Sequence, residues 1–160
     1  MGAAAILPTP IGPLRIVHDG DVLLGAAFAA GETAEGPPPP ARIAEAFGAY
    51  FDGSAMPLAR LPRRPRGTEF QLRVWAALER IGHGDTRSYA DIARALGGQA
   101  TGPGGLARAI GAANARNPIA IAIPCHRVIG AGGSLTGYAG GLERKLWLLR
   151  HEGAVTGPLL

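Results

Sequence analysis

The chain has 160 residues, enough for one domain or two small ones. Its 47% apolar content is too high for a disordered chain, and no apolar run approaches the about 18 residues a membrane-spanning helix needs. The net charge of +4 is unevenly divided: residues 1–58 carry two arginines against six acids, and residues 59–160 carry fourteen Lys and Arg against six acids. A basic second half predicts contact with a polyanion such as nucleic acid.

The opening, Met1 to Ile6, lacks a basic segment followed by a long apolar one, so it reads as a poor signal peptide. Leu14–Val17 and Val22–Phe28 flank His18-Asp19-Gly20-Asp21, which predicts a hairpin, since both residues of an Asp-Gly turn can take positive φ. Pro37 to Pro40 is a stiff connector. Residues 41–51 are predicted helical, with Ile43, Phe47, Tyr50 and Phe51 on one face. The Arg/Pro-rich run Arg60 to Arg66 reads as a solvated linker and a domain boundary, giving domains at 1–62 and 63–160.

Thr68-Glu69-Phe70-Gln71 is a capping-box pattern, followed by the apolar stripe Phe70, Val74, Trp75, Leu78 and Ile81; Trp75 is expected in the core. Ser88-Tyr89-Ala90-Asp91 starts another helix, which Gly97-Gly98 stops. Gln99 to Gly105 is a Gly-rich loop without the Lys-Ser/Thr ending of a phosphate-binding loop. Leu106 to Ala115 reads as an Ala-rich helix, ended by Asn117-Pro118, and two short helices joined by a turn suggest helix-turn-helix. A last helix spans Leu142 to Glu152, with Leu142, Leu146, Trp147 and Leu149 as its apolar side. The fold class is α+β: a small antiparallel-sheet domain followed by a helical one.

Cys125 is the single cysteine, so an internal disulfide is excluded, and its neighbours show no metal-ligand spacing. It sits in Ile121-Ala122-Ile123-Pro124-Cys125-His126-Arg127-Val128, which reads as a buried strand delivering a thiol to a turn. An imidazole beside it and a guanidinium one residue later favour thiolate, the form that attacks electrophiles. A lone cysteine is either an inert core residue or a nucleophile; this context favours the nucleophile.

Pro124-Cys125-His126-Arg127-Val128 resembles the active-site signature of the O6-alkylguanine-DNA alkyltransferases, also called methylated-DNA–protein-cysteine methyltransferases. Other blocks resemble the same family: Gly67-Thr68-Glu69-Phe70-Gln71, Val74-Trp75, Ser88-Tyr89, Ala107-Arg108-Ala109-Ile110-Gly111, Asn117-Pro118, Gly137-Tyr138 with Gly140-Gly141, and Leu148-Leu149-Arg150-His151-Glu152-Gly153. The similarity is dense from about residue 67 to 153 and looser from 6 to 60. It implies a ribonuclease-H-like N-terminal domain and a winged-helix-like C-terminal domain that holds the reactive cysteine.

The resemblance implies direct-reversal DNA repair, in which an alkyl group moves from O6 of guanine, or from O4 of thymine, to the sulfur of Cys125 in one irreversible turnover. It makes His126 the base, acting through a water, and Glu152 the carboxylate that orients it. A carboxylate near a helix C-terminus is electrostatically disfavoured, so a partner such as His126 or Arg150 is expected. Asn117 is expected to bond backbone around the cysteine turn, and Tyr89 to protonate the departing guanine. Pro124, Val128, Tyr138, Ala139 and Gly140 line the alkyl pocket, with Ala139 where the family often has Ser. The target nucleotide must rotate out of the duplex, Arg108 fills the vacated space, and Ala107 and Gly111 allow close approach in the minor groove. Arg127 is included among the DNA contacts.

Two departures from the family stand out. Gly97 to Gly105 is about five residues longer than the common spacing, and the N-terminal cysteines of zinc-bearing relatives are absent, so no metal and no cofactor are expected. The expected partner is double-stranded DNA containing O6-alkylguanine, with no membrane and a monomeric protein; one cysteine and no export signal predict a reducing, cytoplasmic location. Rival readings are an alkylated-base binding module without transfer, a multiple-turnover Cys-His acyl hydrolase, and a transcriptional regulator.

Overall fold

Apolar and polar residues alternate along Leu14-Arg15-Ile16, and Leu14 and Ile16 are fully buried while Arg15 is exposed. This is the pattern of a strand with one face on a core. In this computed structural model, which describes residues 2–29 and 35–155, the strand is β2 (Leu14–Asp19), paired antiparallel with β1 (Ala3–Leu7) and β3 (Val22–Phe28) in the order β1-β2-β3. Met1 of the opening segment and residues 156–160 of the predicted second domain lie outside the described residues. β1 escapes sequence reading because Ala3-Ala4-Ala5 has neither alternation nor strand propensity; its pairing with β2, Ala3 opposite His18 through Leu7 opposite Leu14, makes it a strand.

The hairpin forms where predicted, but the turn differs. Gly20 takes φ +55, whereas Asp19 and Asp21 keep negative φ, so the turn has glycine at its first central position instead of two left-handed residues. Val17 pairs with Gly25 and His18 with Leu23, leaving Leu24 as the extra residue of a bulge. That extra residue puts Leu23 and Ala26, three apart in sequence, on the buried side together.

The helix α1 (Ala41–Phe51) buries Ile43, Ala46, Phe47 and Tyr50; Phe51 is only half-buried. It packs on α2 (Met56–Arg60), a short helix absent from the sequence reading. The run after α2 is not the solvated linker that its charge suggested. Leu23 N–H donates to Pro62 O at 2.8 Å and Arg64 N–H to Leu23 O at 2.9 Å, which lays the run along β3. The Arg63 guanidinium donates to the carbonyls of Ala122 at 2.6 Å, Leu61 at 3.1 Å and Leu58. Arginine's five-donor fork suits it to gathering several carbonyls at once. The boundary therefore shifts from the predicted 62/63. One unit comprises Met1–Arg66 with Pro118–Ala122, and the other Gly67–Asn117 with Ile123–Leu160.

The strand predicted at 121–123 is buried but is not a strand. The chain bridges β3 at Ile119, opposite Ala26. It then turns twice: Ala122 N–H reaches Ala120 O at 2.8 Å, with Ile121 at φ +70, and Cys125 N–H reaches Ile123 O at 2.8 Å. Tight three-residue turns of this kind leave no run of free backbone for a ladder.

The second unit is helical, as predicted. Helix α3 (Glu69–Leu78) opens with the full capping box: Gln71 N–H donates to Thr68 Oγ1 at 3.1 Å and Thr68 N–H to Gln71 Oε1 at 3.0 Å. Val74, Trp75 and Leu78 are buried, and the Trp75 indole N–H donates to Ala113 O at 2.8 Å. A two-residue strand, β4 (Arg87–Ser88), leads into α4 (Tyr89–Ala95), whose Ser88–Asp91 capping box has bonds of 3.1 and 2.9 Å. The long Gly-rich loop is braced from within: Leu106 N–H donates to Gln99 O at 2.8 Å, Ala107 N–H to Ala100 O at 3.0 Å, and Gln99 Nε2 to Pro103 O at 2.9 Å. Then come α5 (Ala107–Ala115), packed on α3 and α4, the strand β5 (Val128–Ile129), and α6 (Leu142–His151). β5 runs parallel to β4, with Arg87 opposite Val128 and Ser88 opposite Ile129.

Gly67 has a steric reason to be glycine. A Cβ placed there would lie 2.5 Å from Trp75 Cη2 and 2.6 Å from Cζ3. Gly67→Ala is expected to destabilise the protein by about 1–3 kcal/mol through overpacking, read as a lower urea midpoint, and pairing it with Trp75→Phe should recover part of the loss.

Candidate active site

Cys125 opens a single 3-10 turn, Cys125–Arg127, between Pro124 and β5. Arg127 N–H donates to Pro124 O at 3.0 Å, and two asparagines hold the turn from outside. Asn117 Nδ2 donates to Ile123 O at 2.7 Å and Asn114 Nδ2 to Cys125 O at 3.4 Å. Asn117 thus bonds backbone around the cysteine as expected. Asn114, buried at 4% exposure in the last turn of α5, was not singled out from sequence; an asparagine at a buried helix position is the signal that could have found it.

The turn points its next two side chains at one carboxylate. His126 Nε2 lies 2.7 Å from Glu152 Oε2, and Arg127 donates through Nε to Oε1 at 2.7 Å and through Nη2 to Oε2 at 3.1 Å. Arg127 Nη1 also donates to Ile81 O at 2.6 Å, behind α3. His126 is fully buried and Glu152 is 6% exposed. Burial alone would raise the Glu152 carboxyl, but the hydrogen bonds and charges of His126 and Arg127 outweigh it and hold the group far below its ordinary value of 4.5. Arg127, a residue not named for this role from sequence, is a guanidinium that compensates this carboxylate at the end of α6. The placement of Arg127 among the DNA contacts is corrected by this geometry: a guanidinium 9% exposed and committed to Glu152 and Ile81 does not present itself to a phosphate.

With a carboxylate on Nε2, the imidazole carries its hydrogen on that nitrogen and keeps a lone pair on Nδ1. Nδ1 is buried and has no hydrogen-bond partner in the protein, as have the Tyr138 hydroxyl and Asn114 Oδ1. Burial lowers the His126 pKa, opposed by Glu152, so the resting ring is a neutral base. The thiol also departs from expectation. Burial, at 5% exposure, raises Cys125 above its ordinary 9.0, against smaller opposing effects from an Asn117 hydrogen bond and the Lys145 charge. The resting sulfur is therefore a thiol; Arg127 is spent on Glu152 and does not hold it as thiolate.

Lys145 is the residue that sequence reasoning missed. It is fully buried on α6, while Leu142, expected on the helix's apolar side, is 48% exposed. Its Nζ donates to Val128 O at 2.6 Å and Thr136 O at 3.1 Å, and burial depresses its pKa to about 8. Of the predicted pocket residues, Pro124 and Val128 are buried beside the turn, and the Tyr138 ring stands edge-on to His126 at 6.5 Å between centroids. Gly140 is half-buried and its carbonyl accepts from Arg144 at 3.1 Å, whereas Ala139 is exposed. Burial raises the Tyr138 hydroxyl well above its ordinary range.

Tyr89 starts α4 directly after β4, and its hydroxyl lies 3.0 Å from Thr136 Oγ1. It borders an open cleft of about 600 Å³ whose walls include Ser88, Thr101, Ile129 and Gly133; Cys125 is not on its wall. On α5, Arg108 is exposed, Ala107 and Gly111 are half-buried, and Ile110 and Ala113 face the core. The helix thus offers an arginine among small side chains.

Site and helix pair together define a nucleophilic-cysteine protein on a helix-turn-helix frame. A family model described as the 6-O-methylguanine DNA methyltransferase, DNA binding domain, matches residues 69–154. A methylated-DNA–protein-cysteine methyltransferase of Mycobacterium leprae is 47% identical over 91% of this chain and 89% of its own length. That of Mycolicibacterium paratuberculosis is 54% identical over 68% of this chain, a match spanning 62% of the relative. The crystal structure of the Mycobacterium tuberculosis O6-methylguanine methyltransferase superposes with a TM-score of 0.80 at 39% identity, covering 98% of this chain and 96% of that one. The chain belongs to the methylated-DNA–protein-cysteine methyltransferase family.

Glu152→Gln should cost about 3–5 kcal/mol at neutral pH, because it leaves Arg127 buried without its counter-charge. The folded-state pKa of Glu152 lies below its unfolded value, so the stabilisation is present above about pH 4.5 and is lost as pH falls below it. Urea titrations of both proteins from pH 7 downward should show the gap between them closing in that range.

Proposed function

We propose that this protein repairs DNA by direct reversal, moving an alkyl group from O6 of guanine in duplex DNA to Sγ of Cys125. The observation that carries the reading is the buried pair His126 Nε2–Glu152 Oε2 at 2.7 Å, which leaves Nδ1 available as a base on the residue that follows the chain's single cysteine. A related structure, the Mycobacterium tuberculosis OGT in complex with DNA, is 41% identical with a TM-score of 0.79 over 94% of this chain and 92% of that one. DNA is accordingly the partner assigned here.

The steps follow from the residues. Nδ1 of His126 takes the thiol proton, and Glu152 stabilises the imidazolium that forms. The sulfur then bonds to the alkyl carbon as the carbon–O6 bond breaks, and that electron pair leaves with the guanine. Tyr89 supplies the proton that neutralises the departing base, and the proton on His126 restores the tyrosine through solvent. Proton count and charge balance: one thiol hydrogen is lost and one guanine hydrogen gained. A thiol kept protonated by burial needs such a base at the moment of attack. O4-alkylthymine is a second substrate of the same chemistry.

The alkylated nucleotide reaches the site by rotating out of the stack, with Arg108 filling its place and the small residues of α5 allowing the close approach. Phosphate contacts from the basic half make binding salt-dependent and largely independent of sequence. The protein acts as a monomer in the cytoplasm. No helix among the described residues is long and apolar enough to cross a membrane.

The product is a thioether, which water does not readily displace, so each molecule reacts once. Incubated with excess O6-methylguanine duplex, the protein is expected to gain one CH2 on Cys125 by peptide mass mapping and to stop at one group per molecule; Cys125→Ala should gain none. Repeated turnover, or a label on another residue, would overturn the reading.

A further inference from the structure

Thr136 occupies a position that nothing in the cysteine–histidine–glutamate arrangement explains. Its Oγ1 lies 3.0 Å from the Tyr89 hydroxyl, and either oxygen can be the donor. Its backbone carbonyl accepts from Lys145 Nζ at 3.1 Å, and the same ammonium holds Val128 O at 2.6 Å. Val128 is the β5 residue paired with Arg87, two residues before Tyr89. The contacts thus close a ring: Tyr89 through β4 and β5 to Val128, through Lys145 to Thr136, and back to Tyr89. Lys145 is fully buried, so this brace is anchored from the inside.

We propose that Thr136 is a positioning residue for alkyl transfer, its hydroxyl donating to the Tyr89 oxygen so that the tyrosine proton faces the departing base and the phenolate it leaves behind is hydrogen-bonded. The assignment rests on the functional reading above. In the transfer step the Tyr89 O–H bond breaks, its proton passes to the guanine, and the electron pair stays on the phenolic oxygen. A threonine hydroxyl can donate throughout this change, to the neutral tyrosine oxygen before transfer and to the phenolate after it. Hydrogen bonds to a charged oxygen are worth more than those to a neutral one, so the contact strengthens as the reaction proceeds. An interaction that strengthens along the reaction raises the rate and leaves ground-state binding unchanged.

The test is single-turnover transfer from an O6-methylguanine duplex, measured across duplex concentration for wild type, Thr136→Val, Thr136→Ser, Tyr89→Phe and the double variant Tyr89→Phe/Thr136→Val. Thr136→Val should slow the saturated rate roughly ten- to a hundredfold with the half-saturating concentration unchanged. Thr136→Ser should restore the rate to within about threefold, since only the hydroxyl is required. In the Tyr89→Phe background the valine should add nothing, because the coupling between the two residues is then already lost. A wild-type rate for Thr136→Val, or an equal slowing in both backgrounds, would assign Thr136 to packing and overturn the proposal while leaving the repair reading intact. No transfer by wild-type protein would overturn both.

Discussion

One carboxylate holds the site together. Glu152 sits at the end of α6, where the helix dipole disfavours a negative charge, and it is almost fully buried there. Such a group survives only when paired and hydrogen-bonded. His126 and Arg127, which both bond it, are consecutive residues of the cysteine turn, and Arg127 reaches on to the carbonyl that follows α3. Satisfying one charge therefore fixes the turn against two helices. It also sets which imidazole nitrogen is free, and with it where a proton can go.

The same burial that makes this clamp strong acts against the thiol. In an enclosed apolar setting the neutral form of cysteine is preferred, and so is neutral imidazole. The two effects agree: both consecutive side chains, thiol and imidazole, are held in their neutral forms. Lys145 adds a positive charge that is buried near the sulfur yet tied to two carbonyls, which tempers the penalty without forming an ion pair.

Much of this was legible from residues. Capping patterns at Thr68 and Ser88 are local chemistry, and both helices begin where their hydroxyls indicate. The hairpin, α1 and the Ala-rich α5 follow from short-range periodicity. The family resemblance, carried by the cysteine motif and the Leu148–Gly153 block, singled out His126 and Glu152. What stayed hidden depends on partners distant in sequence. Arg127 reads as a surface cation until Glu152, twenty-five positions later, is brought to it. Lys145 reads as a solvated charge because sequence cannot show two inward-facing carbonyls awaiting a donor. The stretch 121–123 has the composition of a strand, and only its backbone turns reveal that it is none. Thr136 carries no signal at all until the loop before α6 is placed beside Tyr89.

The pairing of β4 with β5 is only two residues long, yet it decides which parts of the second unit are free to vary. Ser88 is locked opposite Ile129, so the spacing between the tyrosine that follows one strand and the thiol that precedes the other is set by peptide hydrogen bonds. The glycine-rich excursion between α4 and α5 lies outside that lock and closes on its own internal bonds. Extra length there adds little closure entropy. The helix connection can therefore lengthen while Tyr89 and Cys125 keep the separation that the β4–β5 pairing sets.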